Sequence, residues 1–370
     1  MPIYMDRHDL SIVTAKDVAE AHQEDLKIQH NYGCRGLTYW FDEVRGTAFC
    51  LIEAPDETAV KEMHKSAHGL VPYEIIEVDS NVVNAFLGRI EDPVTSQNPD
   101  DSGFPVINEP AFRAIMVTTL MDSALMISKY GKDQTHNLLN IQNDLVQNTV
   151  EQFNGLLAKQ TAEGFIVSFP TVAKAISCAL DIQKKFAHYN KNNPSTEMCI
   201  RIGISAGSPV TKDSDFFEQA VCLAKRLSSI AAKNQVLISS NVRELLKENG
   251  LNTLTNNDAV RALTPPEEQF LNNLFDKIEK IWNEPDLDVE SFSRHLGQSR
   301  SQLYRKTTSL MGYSPNDFIK EFRLSKSLEL LDKQYGNITD VAFQSGFSNP
   351  SYFSKCFKER FGLLPSDYTP

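Results

Sequence analysis

Strand-like and helix-like patterns alternate along the first ninety residues. Four short stretches alternate apolar and polar positions as strands do: residues 3–6, 37–41, 47–52 and 74–78. Helical periodicity covers residues 13–32 and 58–68, and the second stretch ends just before Gly69, where a helix-terminating glycine is common. The pattern over residues 1–91 therefore predicts an α+β domain with the element order β-α-β-β-α-β.

A second block, residues 111–263, combines apolar strands with longer helices. Its predicted strands are residues 114–120, 164–169, 199–205 and 235–239. A long helix is predicted from apolar residues that share one face: Leu138, Ile141, Leu145, Val146, Val150, Phe153 and Leu157. A second helix is marked by Val172, Ile176, Ala179, Leu180 and Phe186. Strands that alternate with long helices indicate an α/β domain.

Two breaks separate the blocks. Residues 92–110 are rich in Pro, Asp, Asn and Ser and have no apolar periodicity, which predicts a linker. Pro265 and Pro266 form a weaker break, at which we expect a helix to stop because proline lacks the backbone donor.

The last block, residues 267–370, is predicted to be all-α and contains one arrangement twice. A helix, a glycine turn and a second helix form the helix-turn-helix unit, whose second helix can enter the major groove of DNA. The glycine suits the turn because a left-handed backbone is costly for other residues. The two copies are residues 289–296, Gly297 and residues 300–310, then residues 338–344, Gly346 and residues 350–361.

Charge separates the last block from the rest of the chain. The 370 residues carry a formal net charge of -11, which argues against a protein that coats nucleic acid along its whole length. Residues 291–370 nevertheless contain eleven Lys or Arg and seven Asp or Glu, and the basic residues concentrate on the second helix of each unit. The alternative for this block is a basic helical bundle that binds another protein.

Composition indicates a globular protein inside the cell. Hydrophobic residues make up 41% and charged residues 23% of the chain. No apolar run approaches the roughly 20 residues that a membrane-spanning helix needs, and the N-terminus has no signal-peptide pattern. The six cysteines form no CxxC pair, which is typical of free thiols in a reducing compartment. We therefore expect a cytoplasmic protein without a membrane partner.

The first block resembles a small ferredoxin-like family with a nickel-binding member. The likeness covers nearly all of residues 1–93 and rests on M-P-I-Y-M-D-R-H, L-T-Y-W-F-D-E-V-R-G-T-A-F-C-L-I-E-A-P and M-H-K-S-A-H-G-L. The predicted element order is that of the ferredoxin-like fold. The resemblance implies that this block binds a divalent transition metal.

Histidines provide the candidate metal ligands, and five of the eight in the chain lie in this block. His64 and His68 are four residues apart on a predicted helix, so their side chains share a face and can chelate nickel or zinc. His8 follows the first strand and can approach from the sheet, which makes His8, His64 and His68 the first candidates. The reserve candidates are Tyr4, His22, His30, Cys34 and Cys50, of which Cys50 also fits the core. The alternative is an exposed histidine pair that binds nothing.

The middle block resembles the class III nucleotide cyclase domain over about residues 113–240. One segment is T-T-L-M-D-S-A-L, from Thr118, and a second is L-A-K-Q-T-A-E-G-F-I-V-S-F-P, from Leu157. The third begins at Arg201 with R-I-G-I-S-A-G-S-P-V and continues with D-F-F-E-Q-A-V-C-L-A-K-R-L. Such cyclases hold two divalent metals on two carboxylates, and the metals activate the ribose hydroxyl and neutralise the triphosphate.

Residue by residue, the resemblance implies a degenerate catalytic set. Glu163 stands where a shorter aspartate is expected, and Cys222, a poor donor, replaces the transition-state asparagine. The glycine expected after Asp122 is also missing. We therefore predict an inactive domain that binds a nucleotide or dimerises; a spacer without a ligand is the alternative. The candidate nucleotide-binding residues are Asp122 and Glu163 for metals, Lys159 and Asp215 for the base, and Arg226 for the transition state.

The last block resembles the AraC/XylS family along its full length. The likeness rests on D-L-D-V-E-S-F-S-R-H-L-G-Q-S-R-S-Q-L-Y-R-K from Asp286 and I-T-D-V-A-F-Q-S-G-F-S-N-P-S-Y-F-S-K-C-F-K-E-R-F-G-L-L-P-S-D-Y from Ile338. The resemblance implies two helix-turn-helix units joined by a long helix at about residues 315–333. The implied base-reading residues are Ser301, Tyr304, Arg305, Ser351 and Lys355. The implied phosphate contacts are Arg300, Lys306, Asn349 and Lys358, and the expected core residues are Phe347, Phe353, Phe357 and Phe361.

Together, the three blocks predict a multidomain transcription regulator that binds double-stranded DNA. Its first two domains would sense a metal ion or a nucleotide, or would form a homodimer. The competing hypothesis is an adenylate or guanylate cyclase with an attached DNA-binding module. A third is metal storage or trafficking through the first block, for which a DNA-binding module has no use.

Overall fold

The computed structural model describes residues 1–11, 13–93, 104–161, 164–212, 214–251, 253 and 257–368. Glu163 and much of the predicted linker lie outside the described residues. The predicted fold class is confirmed: an α+β unit, a larger α/β unit and an all-helical region follow one another along the chain.

The N-terminal unit is an antiparallel sheet with two of its three helices on one face and the third on the other. Its elements are β1 (Ile3–Asp9), α1 (Ala15–Ile28), β2 (Arg35–Asp42), β3 (Thr47–Glu53), α2 (Glu57–Ala67), β4 (Glu74–Val78) and α3 (Ser80–Leu87). The strand order β2-β3-β1-β4 is that expected of a ferredoxin-like fold. The sequence pattern did not predict α3, which follows β4 after a single residue, Asp79; that residue caps the helix.

Strand β1 divides its side chains between two surfaces because successive residues point to opposite faces of a sheet. Tyr4, Asp6 and His8 are buried, and Tyr4 packs in the core formed with α1 and α2. Met5 lies in a different core, which includes residues of the middle unit. The period of two therefore brings polar groups to the helix side and apolar groups to the interface with the next unit.

The middle unit contains a mixed six-stranded sheet in the order β10-β9-β8-β5-β7-β6. Its strands are β5 (Arg113–Leu120), β6 (Leu156–Thr161), β7 (Gly164–Phe169), β8 (Ile200–Gly207), β9 (Val236–Ile238) and β10 (Val260–Ala262). Its helices are α4 (Ser123–Tyr130), α5 (Lys132–Gln152), α6 (Val172–Asn192), α7 (Glu218–Ile230) and α8 (Ser240–Glu248). Helices α5, α6 and α8 pack on one face, whereas α7 and the N-terminal unit pack on the other.

The helix predicted through Phe153 and Leu157 is shorter than expected. Helix α5 ends at Gln152, and Leu157 lies on β6. Asn154 has a left-handed φ of 57°, and a Cβ on Gly155 would lie 2.6 Å from the ring of Phe169. This pair turns the chain tightly against β7, so the helical period continued past the true end of the helix only by coincidence.

The all-helical region contains α9 (Pro265–Ile281), α10 (Val289–His295), α11 (Arg300–Met311), α12 (Pro315–Asp332), α13 (Ile338–Gln344) and α14 (Pro350–Phe361). The expectation that Pro265 and Pro266 stop a helix is wrong, because they form the first turn of α9. Proline is tolerated there since the first turn has no intrahelical partner for its N–H. Leu271 and Leu274 of α9 pack with Leu227 of α7, which joins the region to the middle unit.

The N-terminal and middle units also share a core. Trp40 and Phe49 of the first sheet lie in one buried cluster with Ile115 and Phe217 of the middle unit. The described end of the predicted linker packs in the other core of the first sheet, where the Ile107 N–H donates to the Tyr39 hydroxyl at 2.9 Å. Both faces of the larger sheet are thus covered by parts of the same chain.

Candidate functional sites

Two turns of the same kind present helices α11 and α14. Gly297 has a φ of 61° and Gly346 a φ of 77°, so both occupy the left-handed region predicted from their position. Each following helix begins at a polar cap. The Ser299 side chain accepts from the Gln302 N–H, and the Asn349 side chain accepts from the Tyr352 N–H. The two helix-turn-helix units therefore have matching local geometry.

The outer faces of α11 and α14 carry the predicted DNA contacts. The side chains on the inner faces, including Leu303 and Phe353, are buried. The four phenylalanines expected in the core, Phe347, Phe353, Phe357 and Phe361, are all buried. All nine predicted DNA-contacting residues are exposed: Arg300, Ser301, Tyr304, Arg305, Lys306, Asn349, Ser351, Lys355 and Lys358.

Local contacts leave these side chains accessible. Lys355 lies 3.9 Å from Glu359, an exposed pair that contributes little. The ammonium nitrogen of Lys306 lies 5.2 Å from the centre of the Phe270 ring on α9. Sequence reasoning missed Tyr352, which is 55% exposed in the first turn of α14. The available signal was an aromatic residue at a solvent-facing helical position beside Ser351.

A second candidate site lies between α1, α2 and the first sheet. Strand β1 supplies Asp6 and His8, and helix α2 supplies His64 at its buried face, with His68 just after its end. The rings of His8 and His64 are 5.0 Å apart, and those of His64 and His68 are 5.2 Å apart. The structure thus brings the three predicted histidines together.

Two aspartates complete this cluster, and the sequence had not pointed to them. Asp6 Oδ2 is 2.8 Å from His64 Nε2, and Asp25 Oδ1 is 3.1 Å from His64 Nδ1. His68 Nε2 is 3.3 Å from Asp25 Oδ2. Asp6 could have been suspected, because it lies two residues before His8 and therefore on the same face of β1. Asp25 has no such signal, since it is far from the histidines in the chain.

The electrostatics of the cluster favour ion pairs between carboxylate and imidazole. Burial opposes ionisation of Asp6, yet His8 and His64 hold its pKa well below the usual value. Burial likewise opposes the cationic form of His64, but Asp6 and Asp25 raise its pKa to about 10. Protonated His64 therefore donates to both carboxylates.

The donor set of this cluster fits a transition metal. Asp6, His8, Cys50 and His64 form one group of mutually close ligand atoms, and Asp25, His64 and His68 form another. Imidazole and carboxylate are suitable ligands for divalent nickel or zinc. Among the reserve candidates, Cys50 belongs to the cluster, whereas buried His22 lies instead beside Asp92, at 3.5 Å.

The predicted nucleotide-binding residues that the structure describes lie on separate elements of the middle unit. Lys159 is exposed on the edge strand β6, and Asp215 is exposed just before α7. Arg226 of α7 donates from Nη1 to Asn272 at 2.9 Å and from Nη2 to Asp276 at 2.6 Å. Asp122 accepts from Arg360 of α14 at 2.8 Å. The two residues expected to act on a metal-bound triphosphate are therefore engaged by the all-helical region.

Family comparisons match the three units in order. Residues 4–78 match the nickel responsive protein SCO4226-like family. Residues 115–282 match the adenylate and guanylate cyclase catalytic domain, and residues 292–369 match a helix-turn-helix domain. These matches confirm the three resemblances drawn from the sequence.

Two curated relatives share part of the chain. Histidine kinase P4 of Formosa agariphila is 39% identical over 102 residues, which are 28% of this chain and 7% of that protein. The HTH-type transcriptional regulator MtrA of Neisseria gonorrhoeae is 32% identical over 99 residues, which are 27% of this chain and 31% of that protein. The chain thus spans under a third of the length of either relative.

Among solved structures, an adenylate/guanylate cyclase/hydrolase from Silicibacter pomeroyi has 24% identity and a TM-score of 0.33, covering 37% of this chain and 81% of that one. In the part of the chain that the structure describes, no helix is long and apolar enough to cross a membrane. The chain thus carries, in order, segments similar to the SCO4226-like family, to the nucleotide cyclase catalytic domain and to the helix-turn-helix domain of AraC-type regulators.

Proposed function

We propose that the protein is a sequence-specific DNA-binding transcription regulator. The observation that carries the proposal is the exposed set of basic and polar side chains on α11 and α14, the second helices of two matched helix-turn-helix units. Base edges would be read from Ser301, Tyr304, Arg305, Ser351 and Lys355, and phosphates would be held by Arg300, Lys306, Asn349 and Lys358.

Selection from a random duplex library tests this function with the full-length protein. We expect repeated rounds of binding to enrich one sequence family, and affinity for that family to fall steeply with salt because phosphate contacts release counterions. If the library stays random although the same folded protein still binds other ligands, the proposal is contradicted.

We further propose that the N-terminal unit binds a divalent transition metal. The supporting observation is the buried convergence of His8, His64 and His68 with Asp6. To coordinate the ion, His64 would release a proton to solvent and give up one carboxylate partner, and the other carboxylate would keep its ring oriented. The metal would then link β1 to α2 and could act as a signal to the remainder of the chain.

Calorimetric titration with nickel and with zinc tests the metal site. We expect one ion per chain, and we expect binding to be lost in a His64→Ala, His68→Ala variant. His188→Ala, an exposed histidine of α6, is the matched control and should bind as the native protein does. Unchanged titration of the double variant would exclude this site.

The middle unit is proposed to lack cyclase activity. Asp122 and Arg226 are occupied by contacts to the all-helical region, and Cys222 cannot replace an asparagine donor. An assay for cyclic nucleotide from ATP or GTP with manganese discriminates this proposal from the competing cyclase function. Sustained turnover that is lost in Asp122→Asn would establish the cyclase instead.

We also propose that the protein is a cytoplasmic homodimer and that its domains span residues 1–91, 111–263 and 267–370. Since both faces of the larger sheet are covered within the chain, a homodimer would form through other surfaces. Light scattering of the protein as it elutes from a size-exclusion column measures its mass and so distinguishes a monomer from a dimer.

A further inference from the structure

A cavity of about 1090 Å³ lies between the middle unit and the all-helical region. Helix α7 supplies one wall, with Lys225 and Arg226, and helix α12 supplies the opposite wall, with Phe322 and Ser325. The end of α9 closes the space between them. One wall belongs to the middle unit and the other to the all-helical region. The cavity therefore exists only while the two are docked.

Charge and ring chemistry favour one class of occupant. Seven basic and four acidic residues line the cavity, although the whole chain is acidic at -11. On the other side, an aromatic wall is formed by Phe275, Trp282 and Phe322. The ring centres of Trp282 and Phe322 are 6.4 Å apart. An apolar planar surface beside cationic groups suits an organic anion with a planar ring.

Arg226, which lines the cavity, joins helix α7 to helix α9. Its two terminal nitrogens donate to Asn272 at 2.9 Å and to Asp276 at 2.6 Å.

We propose that this cavity binds a small organic anion with a planar ring, and that the bound anion holds the helix-turn-helix region against the middle unit. A ligand that touches both walls binds the docked arrangement better than the open one, so it shifts the equilibrium toward docking. The binding site rests on the cavity alone, whereas its effect on DNA affinity rests on the proposed function.

Calorimetry of the full-length protein with three probes tests the site. The probes are salicylate, adenosine 5′-monophosphate and inorganic pyrophosphate, with EDTA present so that metals do not contribute. We expect one ring-bearing anion per chain, bound at least about tenfold more tightly than ring-free pyrophosphate. Preference between salicylate and the nucleotide identifies a carboxylate or a phosphate ester as the natural group. No binding of either ring-bearing probe at millimolar concentration would overturn the site.

Two variants and one control connect binding to the two walls. Ser325→Trp fills the cavity from α12, and the double variant Lys225→Gln, Lys333→Gln removes charge; all three residues are exposed, so the fold should persist. Each of these two variants should lower the affinity for the probe at least about tenfold. Lys184→Gln, exposed on α6 at the other face of the sheet, is the control. Undiminished binding in both test variants would place the probe elsewhere and refute the proposal.

Anisotropy with the selected duplex separates the site from its consequence. The bound probe should change DNA affinity by about fivefold or more, and Ser325→Trp should abolish that change. Unchanged DNA affinity with the probe bound would refute the coupling. A protein that binds the probe but no DNA would instead contradict the proposed function and leave the site supported.

Discussion

Arg360 donates from Nη1 to the Asp122 carboxylate at 2.8 Å, although the two residues are 238 positions apart in the chain. The Nε of the same guanidinium donates to Glu321 of α12 at 2.6 Å. Asp122 is the position at which the cyclase resemblance implies a metal ligand, and Arg360 belongs to the second DNA-reading helix. One ion pair thus connects the position of an implied metal ligand to the helix that carries proposed DNA contacts.

The Asp122–Arg360 pair should show a small but measurable coupling. Both side chains are partly exposed, at 45% and 34%, so solvent screens their attraction. In a double-mutant cycle of Asp122→Asn and Arg360→Gln, urea unfolding should give a coupling free energy of about 0.2–1 kcal/mol. A cycle of Asp122→Asn with Lys355→Gln, whose ammonium lies beside Glu359 and not beside Asp122, should be additive. Additivity in both cycles would mean that the contact does not form in solution.

Alanine substitutions of Arg305 and of Lys358 should weaken DNA binding in different ways. Arg305→Ala removes a donor to a base edge, so it should weaken the selected site by about 1–3 kcal/mol and relax one base position. Lys358→Ala removes a phosphate contact and should weaken selected and random duplexes alike, with a smaller salt dependence. Parallel anisotropy titrations on both duplexes measure the difference. Equal losses on both duplexes for Arg305→Ala would refute its base-reading role.

Gly346 should tolerate substitution less well than Gly362. Both have left-handed backbones, with φ of 77° and 79°, so alanine at either position costs about 1–2 kcal/mol of strain. At Gly346 a Cβ would also lie 2.8 Å from the Trp282 carbonyl oxygen, whereas at Gly362 no atom of the described residues lies within 4 Å. Thermal unfolding of the two alanine variants should therefore show a larger loss for Gly346→Ala. Equal losses would indicate that the turn in solution is more open than described.

Phe86 should matter to two units at once. Its ring, 7% exposed, stacks on Phe217 of the middle unit at 5.2 Å. Phe86→Ala should lower the free energy of unfolding by about 3–5 kcal/mol and separate the unfolding of the N-terminal and middle units. Phe343→Ala, at a 51% exposed ring, is the matched control and should change stability little. A negligible effect of Phe86→Ala would show that the two units do not share a core.

Local signals explain why the helix-turn-helix units were predictable from sequence. Helical period, polar caps and turn glycines act within a few residues, and the helices observed from α10 to α14 begin and end within one residue of the predicted bounds. The same local logic predicted the strands of the first sheet. It gave a wrong end for α5, because the turn at Gly155 depends on contact with Phe169, which lies on a neighbouring strand.

The candidate metal cluster was only half predictable. The spacing of His64 and His68 alone predicted that their side chains lie together, although His68 lies just after the end of α2. Asp25 reaches them from α1 because the two helices pack side by side on the sheet, a relationship that no spacing in the chain encodes.

By itself, the sequence determined the three units, their order, the helices of the two helix-turn-helix units and the three histidines, because each follows from periodicity or motif within one segment. Only the tertiary structure decided that Asp6 and Asp25 flank His64, that Asp122 pairs with Arg360, and that a cavity lies between α7 and α12. Such contacts join residues far apart in the chain. They depend on how apolar faces pack, and many different packings are compatible with the same local pattern.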